Sequence, residues 1–417
     1  MTASAEIIVV GAGPAGLSLA GALAAGGVRV LVLEQQGRPA IEDPADDGRE
    51  IALTHRARDI MVRQGLWDAV PADRASPLAE ARVVDGSSPL TLHFASAPRS
   101  QGEPLGWLVP NHCIRRAAWQ VAQARAGVQV ECGATVTRLQ RDATRAVVEL
   151  ADGRRFCAPL VVAADTRFSA LRRMAGIGAA MHDFARTVVV AAVGHDRPHQ
   201  GTAWECFRYG NTLALLPMPG RQVSAVVTVP TPQAAEWLAL SDPDFASRIE
   251  VQAEGRLGRM HSAGPRHAYP LVATYAHRFV ADRIALVGDA AVGMHPVTAH
   301  GWNFGLYGIE VLSREILDAR RASPAGDLTA ALARYEREHR RATLPVWVGT
   351  NGIVTLFTDE RPLPRLARRA VLAAAEQAPL LSHWVKSGIR QQLTGKPWRA
   401  GPKATAQATP QRLAARP

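Results

Sequence analysis

Three glycines near the start of the chain have the spacing that binds a dinucleotide. Gly11, Gly13 and Gly16 form the pattern GxGxxG. Such glycines permit a tight turn, let backbone amides approach a diphosphate and allow a helix to pack close to a strand. Glu34 ends the next apolar run, where its carboxylate can accept hydrogen bonds from both ribose hydroxyls of an adenosine. These residues predict a dinucleotide site and leave NAD and FAD as alternatives.

A second group of candidate binding residues lies far downstream. Asp289 follows a buried-strand pattern, and a carboxylate at a strand end can accept hydrogen bonds from a polyol chain. A helix is predicted to begin directly after this, at a glycine-flanked segment that contains Gly301, Trp302 and Asn303. The backbone N–H groups at a helix start stabilise an anionic or electron-rich ring edge. This second group favours FAD over NAD.

The elements that must position these residues can be predicted from the hydrophobic pattern. Residues 6–10 predict a short buried strand, a helical stretch follows to about residue 25, and residues 28–34 predict a second strand. Alternating runs at 187–193, 213–218 and 223–229 predict a mostly antiparallel sheet. We therefore expect an α/β fold, with a Rossmann-like FAD-binding domain, a mostly antiparallel β-sheet substrate domain and C-terminal helices.

The cofactor motifs are scattered along the chain, so the FAD-binding domain is expected to be discontinuous. A chain of 417 residues is long enough for two or three domains. The substrate is expected to lie between the two main domains. The expected ranges are 1–75, 105–180 and 275–345 for the FAD-binding domain, 76–104 and 181–274 for the β-sheet substrate domain, 346–400 for the C-terminal helices and 401–417 for a disordered tail.

Composition excludes several other classes of protein. The four cysteines have no CxxC pairing, which disfavours disulfides, zinc sites and a thiol-disulfide flavoenzyme, and no metal site is predicted. No apolar run reaches the roughly 18 residues of a membrane span. The first apolar stretch has no basic segment before it, so it does not resemble a signal peptide. We expect a cytoplasmic protein.

The net charge of +11 is concentrated at one end of the chain. Eleven lysines and arginines and a single acid, Glu376, lie between Arg361 and the last residue, while the rest is nearly neutral. A neutral body argues against nucleic-acid binding. The basic end points instead to an anionic surface.

The downstream motif resembles that of a known family. The string GDAAVGMHPVTAHGWNFGL is similar to the corresponding segment of single-component, FAD-dependent aromatic hydroxylases. The strips GREIALTH, LVPN and LALLPM resemble further segments of the family. Within it, the ubiquinone-biosynthesis ring hydroxylases are the most similar, and HPVTAHG looks most like their UbiM-type branch. The resemblance covers about residues 5–350.

The resemblance implies roles for individual residues. Asp289 would bind the ribityl chain, and the backbone around Gly301, Trp302 and Asn303 would lie near the pyrimidine side of the flavin ring. Further FAD contacts would come from Arg49 at the diphosphate and from Asn111, Arg115 and Asp165.

Three positions depart from the family pattern. Thr166 stands where a glycine is usual after Asp165, in a motif thought to touch both FAD and the nicotinamide donor. His300 replaces a glutamine beside the expected ring and is the candidate catalytic residue, whereas His295, before a proline, is expected to be structural. Gly308 replaces an aspartate. Asp165 and Arg167 have the alternative role of capping and bracing a helix that begins near Ser169.

The family resemblance implies a mechanism. Only one GxGxxG unit is present, so NAD(P)H would bind transiently as electron donor, reduce the FAD and leave. O2 would then form a C4a-hydroperoxyflavin that hydroxylates the ring of a prenylated phenol or quinol. Two alternatives remain open, namely the same chemistry on a soluble aromatic compound and a non-catalytic, flavin-binding assembly protein.

The basic end contains a predicted amphipathic helix at residues 380–393, with an apolar face opposite His383, Lys386 and Arg390. It could pack on the flavin domain or contact a membrane surface. The protein would then be cytoplasmic or peripheral to the inner face of the membrane. Other ubiquinone-biosynthesis proteins remain candidate partners.

Overall fold

The structure, a computed structural model, describes residues 5–85, 91–95, 103–208, 211–295, 300–323 and 326–358. Its strands are β1 (Ile7–Val10), β2 (Val30–Glu34), β3 (Glu50–Leu53), β4 (Ser76–Leu78), β5 (Glu80–Asp85), β6 (Thr91–Ala95), β7 (Gly106–Pro110), β8 (Val128–Cys132), β9 (Val136–Arg141), β10 (Ala146–Leu150), β11 (Arg155–Ala158), β12 (Leu160–Ala163), β13 (Ala179–His195), β14 (Thr202–Arg208), β15 (Asn211–Met218), β16 (Gln222–Pro230), β17 (Met260–Ala263), β18 (His267–Ala276), β19 (Val280–Ala281), β20 (Ile284–Leu286) and β21 (Val292–Gly293). Its helices are α1 (Pro14–Ala25), α2 (Arg38–Glu42), α3 (His55–Gln64), α4 (Asn111–Gln123), α5 (Ala170–Met174), α6 (Ala234–Ala239), α7 (Asp242–Gln252), α8 (Gly301–Ala322) and α9 (Thr329–Thr358).

A six-stranded sheet forms the base of the cofactor half of the molecule. Its order is β19-β20-β12-β1-β2-β8, parallel except for the edge strand β19. The side chains of β2, β12 and β20 are buried throughout, as expected for parallel strands covered on both faces. The chain order reverses at β1, because β2 and β8 lie on one side of it and β12 and β20 on the other. A crevice forms at the carboxyl ends of the strands at such a switch point.

The predicted strand–turn–helix–strand unit is present as β1, α1 and β2. The helix α1 has a proline in its first turn and ends at Gly26, as its sequence indicates. It packs close to its neighbours through glycines. A Cβ at Gly21 would contact Val121 of α4, and a Cβ at Gly26 would lie 2.3 Å from the Leu317 side chain of α8.

A nine-stranded, mostly antiparallel sheet forms the second layer. Its order is β21-β18-β13-β16-β15-β14-β5-β6, with β17 paired to β13, and only β5 and β14 pair in parallel. One face is covered by α6 and α7, where Trp237 and Phe245 pack against valines and leucines of the strands. The alternating burial of β15 and β16 follows from this one-sided cover. This confirms the expected fold class.

Two three-stranded antiparallel sheets complete the described fold. One has the order β11-β10-β9, and the other has the order β3-β7-β4. Residues 76–104 were expected to join the large sheet. Within this range, β5 and β6 belong to the large sheet, whereas β4 pairs with β7 instead. The expected domain boundaries themselves stay a prediction.

The helices α8 and α9 pack on the cofactor half. No helix in the described part of the chain is long and apolar enough to cross a membrane. The predicted amphipathic helix at 380–393 and the predicted disordered tail at 401–417 lie outside the described residues.

Candidate functional site

Most residues predicted to bind FAD meet at the carboxyl edge of the parallel sheet. Gly11, Asp165 and Asp289 lie in the loops after β1, β12 and β20, and Glu34 is the last residue of β2. Backbone hydrogen bonds hold adjacent loops together, from Gly11 N–H to the Leu33 carbonyl and from Ala164 N–H to the Val10 carbonyl. Residues distant in the sequence therefore line one crevice.

The glycine turn after β1 leaves room for a ligand at one position only. Gly11 has a φ of +109°, and a Cβ there would lie 2.5 Å from the Ala164 carbonyl oxygen. A Cβ at Gly16 would lie 1.9 Å from the Gly11 carbonyl oxygen, whereas a Cβ at Gly13 would meet nothing within 4 Å. Gly13 is the N-cap of α1 and gives it no side-chain cap. Open space before an uncapped helix start fits a diphosphate.

Glu34 lies beside this turn and is fixed by backbone donors. Its side chain is buried at the end of β2. Its two carboxylate oxygens accept hydrogen bonds from the N–H groups of Ala12 at 2.7 Å and Gln36 at 2.8 Å. Each carboxylate oxygen keeps a further lone pair, so the group can also accept from ribose hydroxyls.

Asp289 is paired with an arginine from another loop. The Arg167 guanidinium lies 3.0 Å from the Asp289 carboxylate and also donates to the Val272 carbonyl. Buried Arg172 braces both loops, because it donates to the carbonyls of Ala290 at 2.8 Å and Arg167 at 3.1 Å. The pair is partly exposed, so the Asp289 carboxylate remains accessible to a polyol.

Arg49 and Asn111 converge on one carboxylate. Asp47 accepts from the Arg49 guanidinium at 2.5 Å and from the Asn111 amide at 2.7 Å. Burial raises the pKa of Asp47, but the hydrogen bonds and charge of Arg49 outweigh it, so the pKa lies below its usual range. Tyr269 of the large sheet completes the group, since its ring lies 5.0 Å below the Arg49 guanidinium and its hydroxyl donates to the Asp47 carbonyl.

Arg115 does not join this group. Its guanidinium donates to the Ala40 carbonyl of α2, at 3.2 Å. Asp165 does lie at the crevice, where its Oδ2 accepts from Leu171 N–H at 3.4 Å. Ser169 is the N-cap of α5 and its hydroxyl accepts from Arg172 N–H, so Asp165 adds a second acceptor at the start of this helix. The Arg167 side chain pairs with Asp289.

The start of α8 is tied firmly to the strip that contains β3. The Asn303 amide donates to the Ala52 carbonyl at 2.8 Å, and its oxygen accepts from the Thr54 N–H at 2.9 Å. Its side chain therefore holds two elements together. The contact of the Gly301 and Trp302 backbone with FAD stays a prediction. The helix begins at Gly301, as predicted.

Two histidines, His295 and His300, precede the start of α8. His300 precedes α8, is 5% exposed and lies 5.1 Å from the Phe304 ring. His295 lies against Phe184, with ring centroids 4.8 Å apart. Burial and the nearby His182 lower the pKa of His295 to about 4, so its ring is neutral at physiological pH. The catalytic role of His300 stays a prediction.

The unusual glycine in α8 has a packing explanation. A Cβ at Gly308 would lie 2.8 Å from the ring of His339, which belongs to α9. His339 is buried and stacks on Tyr335. In this chain an imidazole therefore fills the space that an aspartate at position 308 would need.

The comparisons with known proteins agree with this geometry. A family model described as an FAD binding domain matches residues 4–343. The chain belongs to this FAD-binding family. Ubiquinone hydroxylase UbiM of Neisseria meningitidis is 42% identical over 398 residues, which span 95% of this chain and 86% of that protein. Ubiquinone hydroxylase UbiL of Rhodospirillum rubrum is 37% identical over 373 residues, which span 89% of this chain and 86% of that protein.

The fold is shared with a monooxygenase of solved structure. The structure of p-nitrophenol 4-monooxygenase PnpA from Pseudomonas putida superposes with a TM-score of 0.75 at 20% identity, over 95% of this chain and all of that one. These findings confirm the resemblance to the UbiM-type branch and the use of FAD. Within this FAD-binding family, the chain is an aromatic-ring monooxygenase.

Several residues of the site were not predicted from the sequence. Asp47 stands next to the predicted strip, and the acidic pair before Gly48 was its only local signal. Tyr269 and Arg172 gave none, because their roles depend on contacts with distant loops.

Proposed function

We propose that this chain hydroxylates the aromatic ring of a prenylated ubiquinone precursor, with O2 as the oxygen source and NAD(P)H as the electron donor. The observation that carries the proposal is the 42% identity, across nearly the whole chain, with a protein named as a ubiquinone hydroxylase. The crevice described above supports the cofactor, and the apolar sheet face above it supports the substrate.

Different residues of the crevice would bind different parts of the cofactor. The N-terminus of α1 at Gly13 would hold the diphosphate, and Glu34 would accept hydrogen bonds from the adenosine ribose. Asp289, fixed by Arg167, would bind the ribityl chain, and the backbone at the start of α8 would lie at the pyrimidine edge of the ring. Bound FAD supplies the redox chemistry that activates O2.

The large sheet would cover the reacting ring. Its face opposite α6 and α7 carries a cluster of Val188, Val190 and Leu271, with Phe184 and Tyr269 beside it. Two contacts direct this face toward the crevice, between Tyr269 and Arg49 and between Phe184 and His295. An apolar cover excludes water from an oxygen-transfer step and suits a substrate that carries a prenyl chain.

NAD(P)H would act as a transient donor. The chain has one GxGxxG unit, which FAD would occupy, so the nicotinamide would bind without a second dinucleotide fold. The Thr166 departure lies beside Asp165, in the strip where such a donor would meet the flavin.

The basic C-terminal segment would hold the protein at a membrane surface, where a prenylated precursor resides. Each lysine or arginine near an anionic leaflet contributes about 1 kcal/mol, and this segment carries eleven against one acid. A chain truncated after residue 360 should retain FAD and lose sedimentation with phosphatidylglycerol vesicles. Equal sedimentation of both chains would refute this contact.

A steady-state assay tests the proposed function. The purified protein is loaded with FAD, and NADH or NADPH oxidation is followed with and without a short-chain demethoxyubiquinol analogue. We expect the quinol to stimulate oxidation and to gain one oxygen, as measured by mass spectrometry. Stimulation only by a soluble aromatic acid would indicate that the substrate is a soluble aromatic compound. Bound FAD without stimulation by either compound would favour a non-catalytic flavin-binding protein.

A further inference from the structure

The sheet face that covers the cofactor half carries an acidic residue in β14, Glu205. The strand register places Val190, Val226, Ala214 and Glu205 in one row, because each is the cross-strand partner of the next. Directly opposed residues project from the same face of a sheet. Val190 and Val226 belong to the cluster that contains Tyr269, whose ring lies over Arg49. Glu205 therefore projects from the crevice-facing side.

The row is short enough for one ligand to span it. Adjacent strands lie about 4.8 Å apart, so three spacings put Glu205 about 14 Å from Val190 along the sheet. The residues on either side of Glu205 in β14, Trp204 and Cys206, point to the opposite face and pack toward α6 and α7. Glu205 is thus an alternating, outward position and not part of that helical layer.

Glu205 has apolar neighbours in β5 and β14, while Thr212 and Thr228 stand in the next row of the same face. Its partner in β5 is Val83, which packs with Ala81, Ala203, Leu78 and Leu105. Within the described part of the chain, no hydrogen bond or ion pair of its carboxyl is found. Burial raises the pKa of Glu205 to about 8, with no charged neighbour contributing. The group is therefore protonated at pH 7 and can both donate and accept a hydrogen bond.

The Glu205 side chain is half-buried. Its carboxyl therefore keeps hydrogen-bonding capacity that a ligand could use. Binding sites are typically apolar surfaces that carry a few polar groups, which fix the orientation of the ligand. The Glu205 carboxyl, on a crevice-facing sheet that also carries the apolar residues Val190 and Val226, has this character.

We propose that the Glu205 carboxyl hydrogen-bonds to the ring hydroxyl of the substrate and so positions the ring beneath the sheet. The proposal deepens the proposed function and rests on it, since it assumes that a phenol or quinol ring lies under this face. Glu205 would select for a ring oxygen, while the apolar row would accept the rest of the ring and its prenyl chain.

A binding measurement tests the contact independently of turnover. The FAD-loaded protein is titrated with a prenylated phenol and with the same compound lacking the hydroxyl, and the dissociation constants are read from the perturbation of flavin absorbance. In the wild type we expect the phenol to bind about tenfold more tightly, because a site built to bind a hydroxyl discriminates against its absence. Glu205→Leu should lose this preference, and Glu205→Gln should keep most of it.

A matched control lies on the other side of the same sheet. Glu236 of α6 is exposed and pairs with Arg248 at 2.7 Å, so Glu236→Gln should leave both dissociation constants unchanged. If Glu205→Leu discriminates as well as the wild type, the contact is refuted even where hydroxylation occurs. If the wild type prefers the phenol through Glu205 but forms no product, the contact stands and the proposed function fails. If the wild type binds neither compound, both are refuted.

Discussion

At the scale of single residues, the glycine turn has one position, Gly13, where a substitution should affect FAD binding and not folding. A Cβ at Gly13 would meet no protein atom within 4 Å, and its backbone φ of −67° suits alanine. We expect Gly13→Ala to fold normally and to lose FAD, because the added methyl group fills the space for the diphosphate. Urea unfolding of the apoprotein and titration with FAD measure the two effects.

Gly16→Ala is the matched comparison. Its Cβ would lie 1.9 Å from the Gly11 carbonyl oxygen, so the turn itself must shift. We expect this variant to lose both FAD and stability, by roughly 1–3 kcal/mol as for other overpacked sites. Equal FAD affinity of Gly13→Ala and the wild type would show that the diphosphate lies elsewhere.

Asp289 provides a second residue-scale prediction. Asp289→Ala should weaken FAD binding about tenfold or more, because a hydrogen-bonded charged group is lost from the polyol site. The free energy of unfolding of the apoprotein should change by less than about 1 kcal/mol, since the Asp289 and Arg167 side chains are 39% and 27% exposed. Isothermal titration with FAD and urea unfolding distinguish the two. Unchanged FAD affinity would remove Asp289 from the site.

The sequence predicts the local structure around individual residues well. The glycine turn, Glu34 and the start of α8 follow from short-range patterns. The role of Asp47 does not, because it depends on Asn111 and Tyr269, which are distant in the chain. Glu205 is visible in the sequence as an acid, but its face depends on the register with β15, which the sequence alone does not give.

At the scale of elements, α9 makes stability depend on pH through His339. Burial lowers the pKa of His339 to about 3, and its unfolded value is about 6.5. Between these values the unfolded state binds more protons. The contribution of His339 to the free energy of unfolding is therefore complete well above pH 6.5, and it is lost as the pH decreases below that value. From pH 7.5 to 5.5, His339 alone should remove about 1.4 kcal/mol.

Substitution tests this dependence. Urea unfolding at both pH values should show a smaller loss for His339→Leu than for the wild type. The control is His261→Leu, because the His261 side chain is 56% exposed and should leave the pH dependence unchanged. An equal loss in the wild type and in His339→Leu would show that the imidazole is not buried in its neutral form.

The order of the elements was predictable in part. The β1–α1–β2 unit and the strands of the large sheet follow from hydrophobic periodicity. The pairing of β4 with β7 could not be predicted, because three residues carry too little pattern to choose between two sheets. The Gly308 departure could be recognised in the sequence, but its explanation requires the contact with His339 in another helix.

At the scale of the whole molecule, two sheets enclose a crevice that neither forms alone. The parallel sheet contributes the loops that would hold FAD, and the large sheet contributes the apolar face and Glu205. The motifs predicted this division because each is a local signal. The substrate was implied by family resemblance, since no local pattern reports a prenylated ring.

Oxygen isotope labelling tests the central claim most directly. The FAD-loaded protein is reduced with NAD(P)H, supplied with a prenylated demethoxyubiquinol analogue and exposed to ¹⁸O₂, and the quinol is analysed by mass spectrometry. The proposed function predicts that the ring gains one ¹⁸O atom and that the label is retained in a new hydroxyl group. Recovery of an unchanged quinol, with the ¹⁸O found only in hydrogen peroxide, would contradict it.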